Sequence, residues 1–346
     1  MMKNEVPEKV REVLKEYDIK VLNIRTESYK VKKGVWWIGT PSGWKILKQQ
    51  AYSAKTLEFI LAAVEYLTGN GIKIPRIIKS KNGDKYVLLD KTCYVLSDAI
   101  EGEKLNYSSN ENIEMIVKEL ARFHRASHGF QAPEDCKVRT HLGGWINKYR
   151  EQVQKLRNYY ELERSQSSHT KFGEIILQEF PYFYERMEQA IAESDQPPYY
   201  QWVEEVNQKG GLCHQDFTAG NLISDKAKKI YVLDTDSITI DIPLRDIRKL
   251  LNKIVKRKGQ WDLMPVKDIL MWYQRENPLK SDHWKVLKPT LLYPHLFVGI
   301  MSKYYEKREQ SWSEGKYLQR LNEMIKLEKS IEPVIKNIET ILPCQS

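Results

Sequence analysis

The sequence predicts a bilobal α+β fold: a small antiparallel sheet with one helix, followed by a larger, mostly helical part. Three observations carry this. Short strand-like segments crowd the first hundred residues, helical periodicity dominates from residue 110 onward, and 346 residues exceed the usual capacity of one hydrophobic core.

Residues 20–25, 30–39 and 44–49 are rich in β-branched and aromatic side chains and are punctuated by Lys33-Gly34 and by Pro41-Ser42-Gly43. That pattern predicts three antiparallel strands. Residues 53–68 then place Leu57, Ile60, Leu61, Val64 and Leu67 at helical spacing, with Ser53 as N-cap and Gly69-Asn70-Gly71 as the stop. Residues 86–89 and 94–100 complete a five-stranded N-terminal lobe, and the boundary is expected near Glu101, giving lobes of residues 1–101 and 102–346. Beyond it, residues 110–128 carry Ile113, Ile116, Val117, Leu120, Ala121 and His124 on one stripe. A helical insertion is expected over 142–206, broken near 165–170 and at Pro197-Pro198. Two short strands at 221–223 and 230–233 follow, joined by a polar turn, and the chain is helical again from Arg245.

Composition excludes several classes of function. Hydrophobic residues make up 41% and charged residues 29%, the balance of a globular chain rather than a disordered one. No apolar run reaches the length of a membrane span, and residues 1–20 are polar and charged without a secretory pattern, so a cytoplasmic protein with no membrane partner is expected. The four cysteines are dispersed and form no Cys-x-x-Cys pair, which predicts free thiols. The net charge of +9 favours anionic partners such as nucleotides or phosphorylated compounds. The densest cationic cluster, Lys253, Lys256, Arg257 and Lys258, precedes Gly259 and reads as solvated charge complementing a helix C-terminus. A nucleic-acid partner is therefore not favoured.

The chemistry concentrates between residues 212 and 236. Phosphoryl transfer from ATP needs a carboxylate to orient the attacking hydroxyl and oxygen ligands to hold magnesium on the phosphates. In Leu212-Cys213-His214-Gln215-Asp216-Phe217-Thr218-Ala219-Gly220-Asn221, the spacing His-x-Asp with Asn five residues on precedes the apolar pair Leu222-Ile223. Asp234 stands thirteen residues later, in Val232-Leu233-Asp234-Thr235-Asp236, at the end of the second short strand. A hairpin between them would bring Asn221 and Asp234 to neighbouring strand ends, within reach of one cation.

These segments resemble the choline and aminoglycoside kinase superfamily. More narrowly, together with Asp246-Ile247-Arg248-Lys249-Leu250, they resemble the kinase-like spore-coat proteins of endospore-forming bacteria, over nearly the whole chain. The resemblance implies ATP and Mg2+ as cofactors, with Asp216 as catalytic base and His214 as structural anchor of the loop. It implies Asn221 and Asp234 as magnesium ligands, Asp236 as an auxiliary carboxylate, and Asp246 as a tie between the following helix and the loop. A hydroxyl compound would be the acceptor, and the spore coat, with its other proteins as partners, would be the destination.

In the N-terminal lobe, such kinases supply a lysine to the α and β phosphates and a helix glutamate to hold it. Lys48 shares a strand face with Ile46, which could roof an adenine, and is preferred over Lys45. Glu58 is the expected partner of Lys48, with Glu65 a weaker candidate. Residues 96–102 resemble the hinge of these kinases, with Asp98 and Ile100 as backbone contacts to adenine. Two departures stand out: no Gly-x-Gly-x-x-Gly precedes Lys48, only Lys32-Lys33-Gly34, and Gln215 replaces the glycine of the loop motif. His124 and His128, four residues apart, lack an evident third metal ligand, and His124 is expected to pack beneath the loop.

Overall fold

The computed structural model describes residues 6–30 and 33–343; Lys32 of the expected phosphate-covering turn, and Cys344, lie outside these residues. The first element is one that the polar N-terminal segment did not suggest. Helix α1 (Glu8–Lys15) aligns Val10, Val13 and Leu14 on one face, and they bury against Trp36, Ile38, Leu47, Tyr94 and Leu96 on the sheet. The i, i+3, i+4 spacing of those three residues was the available signal.

Strands β1 (Asn23–Lys30), β2 (Lys33–Thr40) and β3 (Gly43–Gln50) follow, then helix α2 (Ala54–Gly69), β4 (Ile77–Ile78), β5 (Val87–Leu89), β6 (Thr92–Asp98) and β7 (Glu103–Lys104). The main sheet has the order β1-β2-β3-β6-β4, with β5 also paired to β6, and every pairing in it is antiparallel. It holds six strands rather than five because β4, two residues long, is too short to leave a periodic trace. β1 begins three residues later than expected and runs to Lys30. Ser53 caps α2, accepting from the Thr56 amide at 3.4 Å.

The chain leaves this part past Gly102, where a Cβ would come within 2.3 Å of the Ser224 carbonyl oxygen. Only glycine fits that approach. There follow α3 (Asn110–Ala126), α4 (Trp145–Arg164), α5 (Lys171–Ser194) and α6 (Pro197–Lys209). The break at residues 165–170 ends in the Thr170 cap of α5, while Pro197 and Pro198 open α6, as proline suits the first turn, where no amide partner is needed. Next come β8 (Leu212–Cys213), β9 (Leu222–Ser224), β10 (Ile230–Val232) and β11 (Thr239–Ile240). The remainder is α7 (Leu244–Lys258), α8 (Leu263–Glu276), α9 (Ser281–Lys285), α10 (Leu287–Leu292), α11 (His295–Tyr305), α12 (Glu314–Lys329) and α13 (Glu332–Ile341).

A single large apolar core fills the helical part and reaches into α2 through Phe59, Ile60, Ala63, Val64 and Leu67. Helix α2 is thus shared: Leu57 and Leu61 pack with Cys93 and Val95 of the sheet, and Phe59 meets Phe130 edge-on at 5.8 Å. Among the described residues no helix is long and apolar enough to cross a membrane.

Candidate active site

The loop between β8 and β9 is built from the backbone outward. Strand β8 pairs with β11, Cys213 opposite Thr239, and the Leu212 amide donates to the Ser127 hydroxyl at 2.9 Å. Next the buried Asp246 carboxylate accepts the amides of His214 at 2.6 Å and Gln215 at 2.9 Å. It also contacts His124 Nε2 at 3.3 Å, while Nδ1 of that ring lies 2.8 Å from the Tyr273 hydroxyl. Burial pushes the Asp246 carboxyl up, but the His124 bond and charge, with His214 and Lys249, outweigh it and hold the group below its ordinary value. His124 therefore does pack beneath the loop. Its ring, Cys213 Sγ and Asp246 lie within 4.8 Å of one another, yet each is already bonded, Cys213 Sγ to the Ile242 carbonyl at 3.2 Å. They form an anchor rather than an open donor set.

His214 links the loop to the metal-side strand. Its Nε2 meets the Leu233 carbonyl at 2.9 Å, an acceptor, so the proton is on Nε2 and Nδ1 is left to accept from the Asp216 amide at 3.3 Å. Burial keeps this imidazole below its ordinary pKa, against the pull of Asp246 and the Leu233 bond. Gln215 holds a left-handed φ of +72°, a conformation that glycine adopts without strain. Its side chain is fixed by Thr239 at 2.6 Å and Arg245 at 2.6 Å, and Lys249 clamps both its side-chain and backbone oxygens. Burial lowers Lys249 to about 8. This clamp was not foreseen; Arg245 and Lys249 gave no signal beyond their helical spacing.

Gln215→Ala is accordingly expected to be about 1 kcal/mol less stable than Gln215→Gly. Both lose the side-chain bonds and keep the Lys249 bond to the backbone oxygen, and only glycine relieves the backbone. Urea unfolding of the two variants measures this, and equal stabilities would show an unstrained loop.

Asp216 and Asn221 are held together: Asn221 Nδ2 donates to the Asp216 carbonyl at 2.9 Å and to its Oδ2 at 3.2 Å. The Leu233 amide donates to the Asn221 carbonyl at 2.8 Å, extending the β9–β10 hairpin, in which Leu222 opposes Val232. Asn221 and Asp234 thereby flank one end of this hairpin. Asp234 has a left-handed φ of +55° and leads into a 3-10 turn over Thr235–Ser237. Lys48 Nζ reaches Asp234 Oδ1 at 2.9 Å and Asp236 Oδ2 at 3.7 Å. Burial works against the Lys48 charge, but Asp236 and Asp234 prevail and raise its pKa. Burial likewise opposes the Asp234 charge, and Lys48, then His214 and Lys33, hold it below the usual carboxylate range. Arg139 donates to the Asp236 carbonyl.

Lys48, Asn221, Asp234 and Asp236 line one cavity of about 450 Å³, whose apolar walls include Val35, Ile46 and Ile223. Asp98 and Ile100 also line it. The Asp98 amide donates to the Arg76 carbonyl at 2.9 Å, and its carboxylate bonds Lys45 at 2.8 Å and Arg76 at 2.9 Å. Burial raises that carboxyl, but the Arg76 and Lys45 bonds and charges bring it below its ordinary value. Lys45 is thus engaged at Asp98, away from Asp234.

Glu58 is the correction. It does not meet Lys48 but accepts from the Tyr86 hydroxyl at 3.1 Å. With Glu65 it lines a larger cavity of about 920 Å³ bounded by Glu12, Glu16 and Lys85, whose lining includes neither Lys48 nor Asp216. The cause is the rotation of α2. Its apolar residues turn toward the cleft, the sheet and the helical core, leaving Glu58, Ala62 and Glu65 on the one remaining stripe. Among the described residues Lys48 has only the two aspartates as ion-pair partners.

Comparison with known proteins agrees with this architecture. A relative, spore coat protein S of Bacillus subtilis (strain 168), is 31% identical over 321 residues, covering 93% of this chain and 91% of its own. Among solved structures, an aminoglycoside phosphotransferase from Alicyclobacillus acidocaldarius superposes with a TM-score of 0.80 at 14% identity, covering 98% of both chains. A spectinomycin phosphotransferase in complex with ADP and spectinomycin gives 0.66 at 15% identity, covering 95% of this chain and 99% of its own. Those two likenesses establish the bilobal phosphotransferase fold. Residues 11–338 match the family described as "Spore coat putative kinase YutH", and the chain belongs to this family of kinase-like spore-coat proteins.

Proposed function

We propose that the protein is an ATP- and Mg2+-dependent phosphotransferase of the spore coat, acting on the hydroxyl of an acceptor. The observation that carries this reading is the convergence of Lys48, Asn221 and Asp234 in one cavity, with Asp216 tied directly to Asn221. Residues 1–101 would cover the nucleotide, and residues 102–346 would carry the loop and the acceptor. The base would lie along Ile46 and meet the Asp98 carbonyl and the Ile100 amide. Asn221 spends its Nδ2 on Asp216 and Asp234 spends Oδ1 on Lys48. Asn221 Oδ1 and Asp234 Oδ2 are left, an all-oxygen pair suited to a hard cation. With Asp236 beside them, these residues would hold magnesium, which when bound neutralises charge on the phosphates.

In the transfer step, the acceptor oxygen bonds the γ-phosphorus as its proton passes to Asp216 Oδ1, the carboxylate oxygen that Asn221 leaves free. The bond from the γ-phosphorus to the β–γ bridging oxygen breaks, and ADP departs. Lys48 would exchange its aspartate partners for the α and β phosphates. His214 and Asp246 hold the loop without touching the reacting atoms.

Calorimetry with ATP and magnesium, followed by an ADP-release screen over hydroxyl acceptors, tests the reading. Magnesium-dependent binding is expected, and Lys48→Ala should weaken it about tenfold or more, the worth of a charge-assisted hydrogen bond. Absence of magnesium-dependent binding would refute the proposal. A second reading, a kinase fold retained for assembly with other coat proteins, is favoured by the displacement of Glu58 from Lys48. Nucleotide binding without ADP release under any acceptor would select it.

A further inference from the structure

One face of α7 runs past the loop that carries Asp216. Arg248, Asn252 and Lys256 recur along that face at four-residue spacing, with Lys253 beside them. Together with Asp216 and His295 they line a depression of about 200 Å³, in which Asp216 is the sole carboxylate. A second depression, about 670 Å³, shares Lys256 and His295 with it and continues along Lys303, Arg320 and Lys326, with Glu323 its sole acid.

The cations differ in how they are used. Lys249 is occupied by Gln215, Lys303 pairs with Glu309 at 2.8 Å, and Arg320 pairs with Glu323 at 2.7 Å. Arg248, Lys253 and Lys256 have no hydrogen bond or ion pair among the described residues, and Arg248 Nε is buried with no partner. Arg248 is half-buried, and its Nε–H, shut off from water without an acceptor, costs free energy. Desolvation by the surrounding protein lowers the Arg248 and Lys256 pKa values, although the Lys256 side chain still reaches solvent, and Lys253, Lys303 and Arg320 add to the effect at Lys256. An anion would relieve both. Lys253 and Lys256 are exposed near the end of α7, as the sequence reading has them; that reading does not extend to their lining the same depression as Asp216.

We propose that the depression beside Asp216 is the acceptor subsite, and that it takes a hydroxyl compound bearing a carboxylate or phosphate group rather than a neutral or cationic one. This rests on the reading of Asp216 as the catalytic base. The anionic group would lie on Arg248, whose planar guanidinium matches either oxyanion. Lys253 and Lys256 draw it in, and the hydroxyl is presented to Asp216. The volume is below the ~300–1,000 Å³ typical of drug-sized sites, so a compact group enters.

The test titrates the full chain, saturated with Mg-AMP-PNP, with four ring compounds that differ in charge: glucuronate, glucose 6-phosphate, glucose and glucosamine. Calorimetry is expected to show binding of one or both anions, weakened by added salt, and none of glucose or glucosamine. The glucuronate and glucose 6-phosphate arms separate the carboxylate from the phosphate source. Arg248→Ala and Lys256→Glu should each weaken the anion about tenfold or more. Lys258→Glu, two residues past Lys256 but outside the lining of the depression, should leave binding unchanged. Lys256 is exposed, so its variant should fold even if Arg248→Ala does not. Binding of AMP-PNP with no capture of either anion, or anion binding indifferent to Lys256→Glu, overturns the subsite while leaving the phosphotransfer reading intact. Failure of AMP-PNP to bind, with Lys256-dependent anion capture retained, overturns that reading and leaves the anion subsite standing.

Discussion

Asp234→Ala is expected to abolish the magnesium dependence of nucleotide binding, whereas Asp216→Ala leaves binding nearly intact and lowers turnover by about 10²- to 10⁴-fold. The two carboxylates are linked through Asn221 but line different cavities and have different partners. Asp234 faces Lys48 at 2.9 Å in the 450 Å³ cavity, and Asp216 is tethered to Asn221 and borders the basic depression of α7. Removing Asp234 also removes a negative charge that repels the triphosphate. Binding of ATP without magnesium should therefore be no weaker in Asp234→Ala than in the wild type, and only the gain from adding magnesium should vanish. Asp216 acts mainly in the transition state, so its loss should appear in kcat with little change in nucleotide affinity. Calorimetry with and without magnesium, paired with ADP-release rates, reads both. A magnesium response preserved in Asp234→Ala, or equal loss of affinity in both variants, would overturn the division of labour.

Asp246→Ala should be the most destabilising substitution of the loop, costing about 3–5 kcal/mol. It would leave the buried His214 and Gln215 amides and the His124 ring without an acceptor, each orphaned group costing roughly 1–3 kcal/mol. Asp246→Asn should cost less, since one amide can still find the side-chain oxygen. The pH dependence has a definite sign. The folded-state pKa of Asp246 is depressed, so its stabilisation is complete above the unfolded value of about 3.9 and is lost as pH falls through the folded value. The gap between wild type and Asp246→Ala should be constant from about pH 5 to 8 and close in stronger acid. Urea unfolding across that range checks this, and a gap that widens on acidification would contradict the anchoring role.

Much of the fold and part of the site were legible without a structure because they are local. The β1–β2–β3 meander is written in β-branched runs and in the Pro41-Ser42-Gly43 turn, and α2 in its apolar spacing and Ser53 cap. The reach from Asp216 to Asn221 and on to Asp234 is fixed by chain length and one hairpin. The alternation that put Lys48 on the face of Ile46 is likewise a property of the strand alone, and the cleft contains both. Helix α1 was locally encoded too, by Val10, Val13 and Leu14, but within a charged segment where three apolar residues are easily passed over. What the sequence by itself determined, then, is the order of elements and the spacing of the loop's polar groups. Only the tertiary structure decided the direction of Glu58, because the rotation of α2 is set by Phe59, Ala63 and Leu67 entering a core contributed by distant helices. It likewise decided that Gln215 can hold a left-handed backbone, since its clamp comes from Thr239, Arg245 and Lys249. And it decided that Lys253 and Lys256 border Asp216, because the angle at which α7 crosses the loop depends on the packing of Leu250, Leu251 and Ile254 against the rest of the helical part, a long-range balance that no local pattern encodes.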